Sequence, residues 1–213
     1  MILPVSSPVS APAKSASYHH GDLRQALITA AQAALKEKGV DKLSLREVAR
    51  NTGVSHAAAY HHFRDKTGLI AAVAVAAFGE LEAVMQAVPS GGDAPSRLGE
   101  LMRVYITFAL ENPDEFRLMF LPQLRSDEVR TEVEGAGRAT YALIVAALAS
   151  LEAAGRLKPA DPEQAAITAW AAAHGLATLM LDGPLYRNAQ SEAGRQTLID
   201  ASVEHLLTGL LRP

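Results

Sequence analysis

Cysteine is absent from this 213-residue chain, which excludes disulfide bonds, Cys-based zinc sites and thiol nucleophiles. Aromatic residues are also scarce, at 5% of the chain, although hydrophobic residues reach 49%. Alanine, leucine and valine supply most of that apolar content. Such a composition favours closely packed helices and predicts an all-α protein.

Two kinds of apolar segment are not evident in the sequence. The first twenty residues lack the basic start and apolar centre of a signal peptide. We also find no run of about 18 apolar residues, so we expect neither a membrane span nor a membrane partner. These observations predict a cytoplasmic protein.

The charge is unevenly distributed along the chain, whose net value is −3. Residues 1–66 hold nine Lys or Arg and five Asp or Glu, a net +4. Residues 67–213 hold eleven and eighteen, a net −7. A basic end on an acidic remainder is expected when only that end contacts nucleic-acid phosphates.

Two short helices joined by a turn are predicted in the segment SLREVARNTGVSHAAAYHHFRDK, which begins at Ser44. Ser44 and Glu47 have the spacing of a capping box and predict a helix start at Leu45. Gly53 supplies the backbone freedom that a sharp turn requires. Ser55 is a favourable N-cap for the second helix. The pattern is typical of a helix-turn-helix.

The second helix is predicted to have one buried and one outward face. Ala59 and Phe63 are four residues apart and therefore share the buried face. The outward face presents small or hydrogen-bonding side chains: Ala57, Ala58, Tyr60, His61 and His62. A helix with this face suits the major groove of DNA, which is about 12 Å wide.

The next helix is predicted to begin after Asp65, its N-cap. That places Lys66 in the first turn, where a cation opposes the helix dipole, so a phosphate contact is the better explanation. For Lys42, phosphate contact and simple solvation remain open. The predicted DNA-binding residues are Ser44, Arg46, Ser55, His56, Ala57, Ala58, Tyr60, His61, His62 and Lys66.

The segment VARNTGVSHAAAYHHFRDKTGLI resembles the helix-turn-helix of the TetR family of bacterial transcriptional regulators. The resemblance rests on Ala49, Gly53-Val54-Ser55, Tyr60, residues 62 and 63, and Lys66. It implies a three-helix DNA-binding head and a helical ligand-binding and dimerisation body. It also implies a homodimer through the last two helices, a pseudo-palindromic DNA operator and a small-molecule effector. Without it, an αα-hairpin inside a helical domain remains the alternative.

We therefore divide the chain into a tail (1–17), the head (18–66) and the body (67–213). The tail is rich in Pro, Ser and Ala and is predicted to be disordered. The alternative is an arm that reaches the minor groove, for which Lys14 supplies the one charge.

About nine helices are predicted in all. The first runs from Asp22 to a C-cap at Gly39, and those of the body cover about 67–88, 95–111, 113–121, 126–154, 162–181 and 191–211. Asn112, Pro113 and Glu115 have the pattern of an N-cap, first and third helical residue. The last helix carries an apolar stripe that needs a neighbouring helix or a second subunit: Ile199, Val203, Leu206 and Leu210.

A pocket for an apolar or aromatic small-molecule effector is predicted around Trp170 and His174, which lie one turn apart on one helix. Trp-x-x-x-His-Gly at this place resembles the C-terminal domain of a TetR subgroup. The predicted lining is apolar and aromatic: Phe108, Phe116, Phe120, Tyr141, Trp170 and His174. The alternative is that these side chains are ordinary core.

No catalytic residue, cofactor or metal site is predicted, because no nucleophile–base pair or glycine-rich phosphate loop has local support. The favoured function is a DNA-binding repressor that a small molecule releases. The alternatives are a ligand-free DNA-binding protein and a small-molecule binding or enzymatic protein with a vestigial head.

Overall fold

The computed structural model describes residues 20–89, 94–158 and 161–212. Within these ranges the chain forms nine α-helices and two short 3-10 turns, Pro122–Arg125 and Asn188–Gln190. The helices are α1 (His20–Lys38), α2 (Leu45–Asn51), α3 (His56–His62), α4 (Lys66–Gln86), α5 (Ala94–Glu111), α6 (Pro113–Met119), α7 (Arg130–Ala153), α8 (Pro162–Leu181) and α9 (Glu192–Leu210). The prediction of an all-α fold is confirmed.

The predicted disordered tail, 1–17, lies outside the described residues, as do residues 90–93 of the predicted loop before α5. The helix α1 begins at His20 rather than at Asp22. It ends as predicted, because Gly39 has a φ of +76° and its N–H donates to the Leu35 carbonyl at 2.8 Å.

The head is a three-helix unit in which α1 packs across α2 and α3. Leu27, Val48, Ala49 and Phe63 are all buried there. The inward face of α3 predicted from the four-residue spacing is therefore confirmed for Ala59 and Phe63.

The central helix α4 packs on α1 of the head and on α5, α6 and α7 of the body. Its length and composition would suffice for a membrane span, although the charged residues Glu80 and Glu82 interrupt its apolar residues, so the helix has no run of about 18 of them. Burial explains the apolar composition of α4, since helices cover it on several sides and 56% of its most apolar window lies inside the fold. A helix that other helices cover on several sides needs only a narrow polar face.

The last two helices bury different kinds of side chain. Helix α8 packs on α5 and α7 mainly through alanines and leaves Ile167, Trp170 and Leu179 substantially exposed. In α9, Ile199 and Val203 are buried against α5 of the same chain. A Cβ on Gly99 of α5 would lie only 3.3 Å from Val203 Cγ1. The stripe of α9 therefore already has an intramolecular partner.

The capping box predicted for Ser44 and Glu47 does not form, and the N-cap Asn112 makes no side-chain capping bond, although both helices start where expected. The Ser44 side chain makes no capping bond, and Glu47 accepts a hydrogen bond from Lys38 instead. Asn112 donates to the Phe108 carbonyl at 3.1 Å. Its partner in the pattern, Glu115, is buried and pairs with a lysine of α1.

Helix α7 begins at Arg130, four residues later than predicted. Residues 126–129 form a turn instead, which closes when the N–H groups of Val129 and Arg130 donate to the Ser126 carbonyl.

Candidate functional site

The turn between α2 and α3 has the predicted geometry. Gly53 adopts a φ of +70°, which only glycine accepts without strain. The Val54 N–H donates to the Ala49 carbonyl at 3.0 Å, and the Ser55 hydroxyl accepts from the Ala58 N–H at 3.1 Å. These bonds fix the direction in which α3 leaves the turn.

A concave surface lies between the start of α2 and the start of α3. Four predicted residues line it together: Ser44, Arg46, Ser55 and His56. Sequence reasoning missed Arg50, which lines the same surface with its side chain 75% exposed. Its position four residues after Arg46 was the available signal, because that spacing places both guanidinium groups on one helix face.

The outward face of α3 continues this surface. Ala57, Tyr60 and His61 are exposed, whereas Ala58 and His62 are half-buried. Tyr60 is 51% exposed, so its ring and hydroxyl are accessible to a partner. The head therefore presents the predicted side chains to solvent, and their contact with DNA stays a prediction.

Lys66 has an explanation that sequence reasoning did not find. Its ammonium donates to the backbone carbonyl of Asp41 at 2.9 Å and so links the start of α4 to the α1–α2 connection. Asp65 caps α4 as predicted, by accepting from the Gly68 N–H at 2.8 Å. The unfavourable helix-dipole position of Lys66 thus no longer requires a phosphate.

A cavity of about 650 Å³ lies in the body between α4, α5, the segment after α6, α7 and α8. Five aromatic rings line it: Phe78, Tyr105, Phe120, Tyr141 and Trp170. Aliphatic side chains complete its apolar wall: Met119, Leu121, Leu124, Val133, Ile144 and Ile167. The size and lining are those of a small-molecule site.

Three of the six predicted pocket residues line this cavity, namely Phe120, Tyr141 and Trp170. His174 and Phe116 pack behind the wall, with the His174 ring centroid 4.5 Å from that of Phe120. Phe108 is buried in the core and does not line the cavity.

The charged lining was missed entirely: Arg125, Arg130, Glu134, Arg138 and Glu163. The four-residue spacing of Arg130, Glu134 and Arg138 places them on one face of α7, but no local sequence pattern brings Arg125 and Glu163 to the same cavity.

Tyr105, which lines the cavity, forms the centre of a small polar network that links Trp170 to His174 behind the wall. Its hydroxyl lies 2.9 Å from His174 Nδ1 and accepts from Trp170 Nε1 at 3.4 Å. Burial raises the pKa of Tyr105 and lowers the pKa of His174, so both groups are held neutral. The imidazole is therefore a half-buried group with a partner, whereas the indole of Trp170 has a face on the cavity.

Two family models match the chain. The model described as "Bacterial regulatory proteins, tetR family" matches residues 27–73, which cover the helix-turn-helix. The model described as "Tetracyclin repressor-like, C-terminal domain" matches residues 98–208, more than half of the chain. Together they cover the head and the cavity-bearing body.

Among curated proteins, the chain is similar to the HTH-type transcriptional regulator BetI. It is 31% identical to BetI of Rhizobium meliloti (strain 1021) over 111 residues, 50% of this chain and 55% of that protein. It is 45% identical to BetI of Yersinia pestis (strain Pestoides F) over 49 residues, 23% of this chain and 25% of that protein. The chain thus spans about half or less of the length of these relatives.

Among solved structures, a protein of unknown function from Rhodococcus sp. RHA1 is 33% identical with a TM-score of 0.79, covering 93% of this chain and 100% of that one. A transcriptional regulator of the TetR/AcrR family from Thermobifida fusca YX-ER1 is 23% identical with a TM-score of 0.68, covering 88% and 98%. The second likeness concerns the fold. The matched families and the relatives of named function are transcriptional regulators, not enzymes.

Proposed function

The chain belongs to the TetR family of bacterial DNA-binding transcriptional regulators, and we propose that it is a repressor released from its operator by a small molecule. It binds a pseudo-palindromic operator as a homodimer in the cytoplasm. The head (18–66) contacts DNA, and the body (67–213) binds the effector and the second subunit.

The surface between α2 and α3 carries the DNA part of this proposal. Arg46 and Arg50 are exposed on one face of α2, beside the N-terminus of α3 with Ser55 and His56. Guanidinium groups bind phosphates, and a helix N-terminus favours an anion. The exposed ring of Tyr60 continues the same surface toward a groove.

The exposed face of α8 supports dimerisation. Leu179 is 43% exposed, Tyr186 just after the helix is 54% exposed, and the exposed Ala172 and half-buried Gly175 lie on the same side of α8 as Leu179, away from the cavity. Apolar side chains grouped on one helix favour a partner surface. Since α9 packs beside α8, a second copy can cover both helices and place two heads on one two-fold axis.

Helix α4 supports the coupling between effector and operator. It begins at Lys66, directly after α3, and its Phe78 lines the body cavity. An effector that binds more tightly when Phe78 is displaced would shift α4 and the attached head. Release then depends on the difference in effector affinity between the two arrangements.

Selection of bound duplexes from a random pool tests the DNA part. We expect two inverted half-sites about one helical turn apart. Arg46→Ala and Arg50→Ala should each weaken binding and reduce the salt slope by about one. Arg156→Ala, which removes an exposed arginine after α7, is the charge-matched control. Recovery of no preferred duplex, or equal slopes for all three variants, contradicts the proposal.

Sedimentation tests the dimer. Leu179→Glu places a charge on the exposed face of α8 and should yield monomers that bind the operator weakly. Val84→Glu on α4, where Val84 is 44% exposed, is the matched control and should remain dimeric. A dimer that survives Leu179→Glu and Tyr186→Glu together argues against this face.

A further inference from the structure

The body cavity combines an apolar wall with arginines, and this pairing bears on the chemistry of its ligand. Three arginines line the cavity, from the 3-10 turn and from α7: Arg125, Arg130 and Arg138. We call these three residues the arginine rim. They are all exposed, so they mark the mouth rather than the wall. They stand out in a body that carries a net charge of −7.

Carboxylates neutralise the arginine rim only in part. Glu134 lies 3.6 Å from Arg138 and 4.0 Å from Arg130, so two cations share one carboxylate. Arg130 has a further partner in Asp127 at 3.3 Å. Arg125 has no ion pair among the described residues. The mouth therefore keeps guanidinium donors for an additional anion.

The apolar wall offers one unpaired hydrogen-bonding group. The Tyr141 hydroxyl is buried and has no hydrogen-bond partner within the described part of the chain. Burial raises the pKa of Tyr141, and the charge of Glu163 raises it further, so the phenol stays protonated. A buried unpaired hydroxyl costs free energy that an oxygen atom of a ligand would recover.

We propose that this cavity binds an apolar molecule with a single acidic head group, whose body contacts the aromatic wall and whose carboxylate contacts the arginine rim. The inference rests on the proposed function, since it assigns a chemical class to the effector. An apolar cation fits less well because, within the part of the chain that the structure describes, Glu163 is the one lining carboxylate without an arginine partner, against three lining arginines.

Trp170 allows a direct test, because it is the single tryptophan of the chain and it lines the cavity. Three probes share a ten-carbon chain and differ in their head group: decanoate, decan-1-ol and decyltrimethylammonium. Each is titrated below its micelle concentration while tryptophan fluorescence is followed. We expect decanoate to bind about tenfold or more tightly than decan-1-ol, and decyltrimethylammonium to bind most weakly.

Substitution of the arginine rim then separates the affinity due to the probe's head group from the affinity due to its alkyl chain. Arg125→Ala combined with Arg138→Ala should reduce the affinity for decanoate to that for decan-1-ol and leave decan-1-ol unaffected. Arg156→Ala is the control, because Arg156 is an exposed arginine that does not line the cavity. Urea unfolding of each variant verifies that the fold is retained, and a rim variant that unfolds is replaced by Arg125→Gln with Arg138→Gln.

Three results would overturn the inference: decan-1-ol binding as tightly as decanoate, tighter binding of the ammonium, or no fluorescence response to any probe. Operator binding is measured in the same preparations. If the unmodified protein binds the operator and any of these results is found, only the ligand class is rejected. If the unmodified protein does not bind an operator, the proposed function is rejected.

Discussion

Lys36 of α1 places its ammonium 3.0 Å from the carboxylate of Glu115 in α6, and so joins the head to the body. The two ends of this pair differ in environment, because the Lys36 side chain is 57% exposed and that of Glu115 only 2%. The second carboxylate oxygen of Glu115 is buried without a partner among the described residues. Lys36 is thus the group that compensates a buried charge.

We predict that Lys36→Met destabilises the protein by about 1–3 kcal/mol, because it leaves the Glu115 carboxylate buried and uncompensated. The exposure of Lys36 keeps the value below that of a fully buried pair. Urea unfolding measures the effect. Lys36→Met combined with Glu115→Gln should recover part of the loss, since no charge then remains buried.

A second ion pair between head and body supplies the control. Arg64 lies 3.0 Å from Glu128, with side chains 82% and 60% exposed. Exposed pairs contribute little, so Arg64→Met should change the free energy of unfolding by less than about 1 kcal/mol. Equal losses for Lys36→Met and Arg64→Met would show that the burial of Glu115 is irrelevant.

The turn of the helix-turn-helix gives a second prediction. Gly53→Ala should destabilise the protein by about 1–2 kcal/mol, since Gly53 has a φ of +70° that an L-residue adopts at a cost. Gly79→Ala is the matched control within α4, where an added Cβ meets nothing within 4 Å. It should stabilise by up to about 1 kcal/mol. Thermal unfolding measures the change in stability of each variant. A change of the same sign in both variants would contradict the requirement for glycine at position 53.

Prediction from the sequence succeeded where a signal is local. Gly39, Gly53, Ser55 and Asp65 act on backbone groups within a few residues, so their roles could be inferred from spacing alone. The same rules failed at Glu47, because Lys38 of the neighbouring helix competes for its carboxylate. A charged donor that the fold brings near binds a carboxylate more strongly than the backbone N–H of a capping box does.

The candidate site was less predictable than the helices, because only part of it depends on local signals. The outward face of α3 follows from helical periodicity, so its exposed residues could be named. The cavity depends on how five elements pack, which places Phe116 and His174 behind its wall and Arg125 at its mouth. Such distances between distant segments leave no trace in local spacing.

The half-buried imidazole of His174 leads to a third prediction, on pH. Burial holds the pKa of His174 below its ordinary 6.5, so the unfolded chain binds this proton more readily than the folded one. The contribution of His174 to the free energy of unfolding is therefore fully present above about pH 6.5. It is lost as the pH decreases, by at most about 1.4 kcal/mol per pH unit.

His174→Asn tests this dependence, because the amide oxygen can still accept from the Tyr105 hydroxyl. Urea unfolding at pH 7.5 and pH 5.5 should give a smaller decrease for the variant than for the unmodified protein. His205→Asn, which changes an exposed histidine of α9, serves as the comparison. A variant with the full pH dependence would remove His174 as its source.

Lys66 gives the last prediction, because one ammonium serves two possible roles. Lys66→Met removes the bond to the Asp41 carbonyl and should lower the free energy of unfolding by about 0.5–1.5 kcal/mol. If the ammonium also contacts a phosphate, as we predict, the salt slope of operator binding falls by about one. Lys158→Met removes a similar contact, since Lys158 donates to the Thr208 and Gly209 carbonyls at 2.8 and 3.1 Å in the body. The Lys158→Met control should lose a comparable amount of stability without any change in the salt slope of operator binding. If Lys66→Met also leaves this salt slope unchanged, the role of Lys66 is structural only.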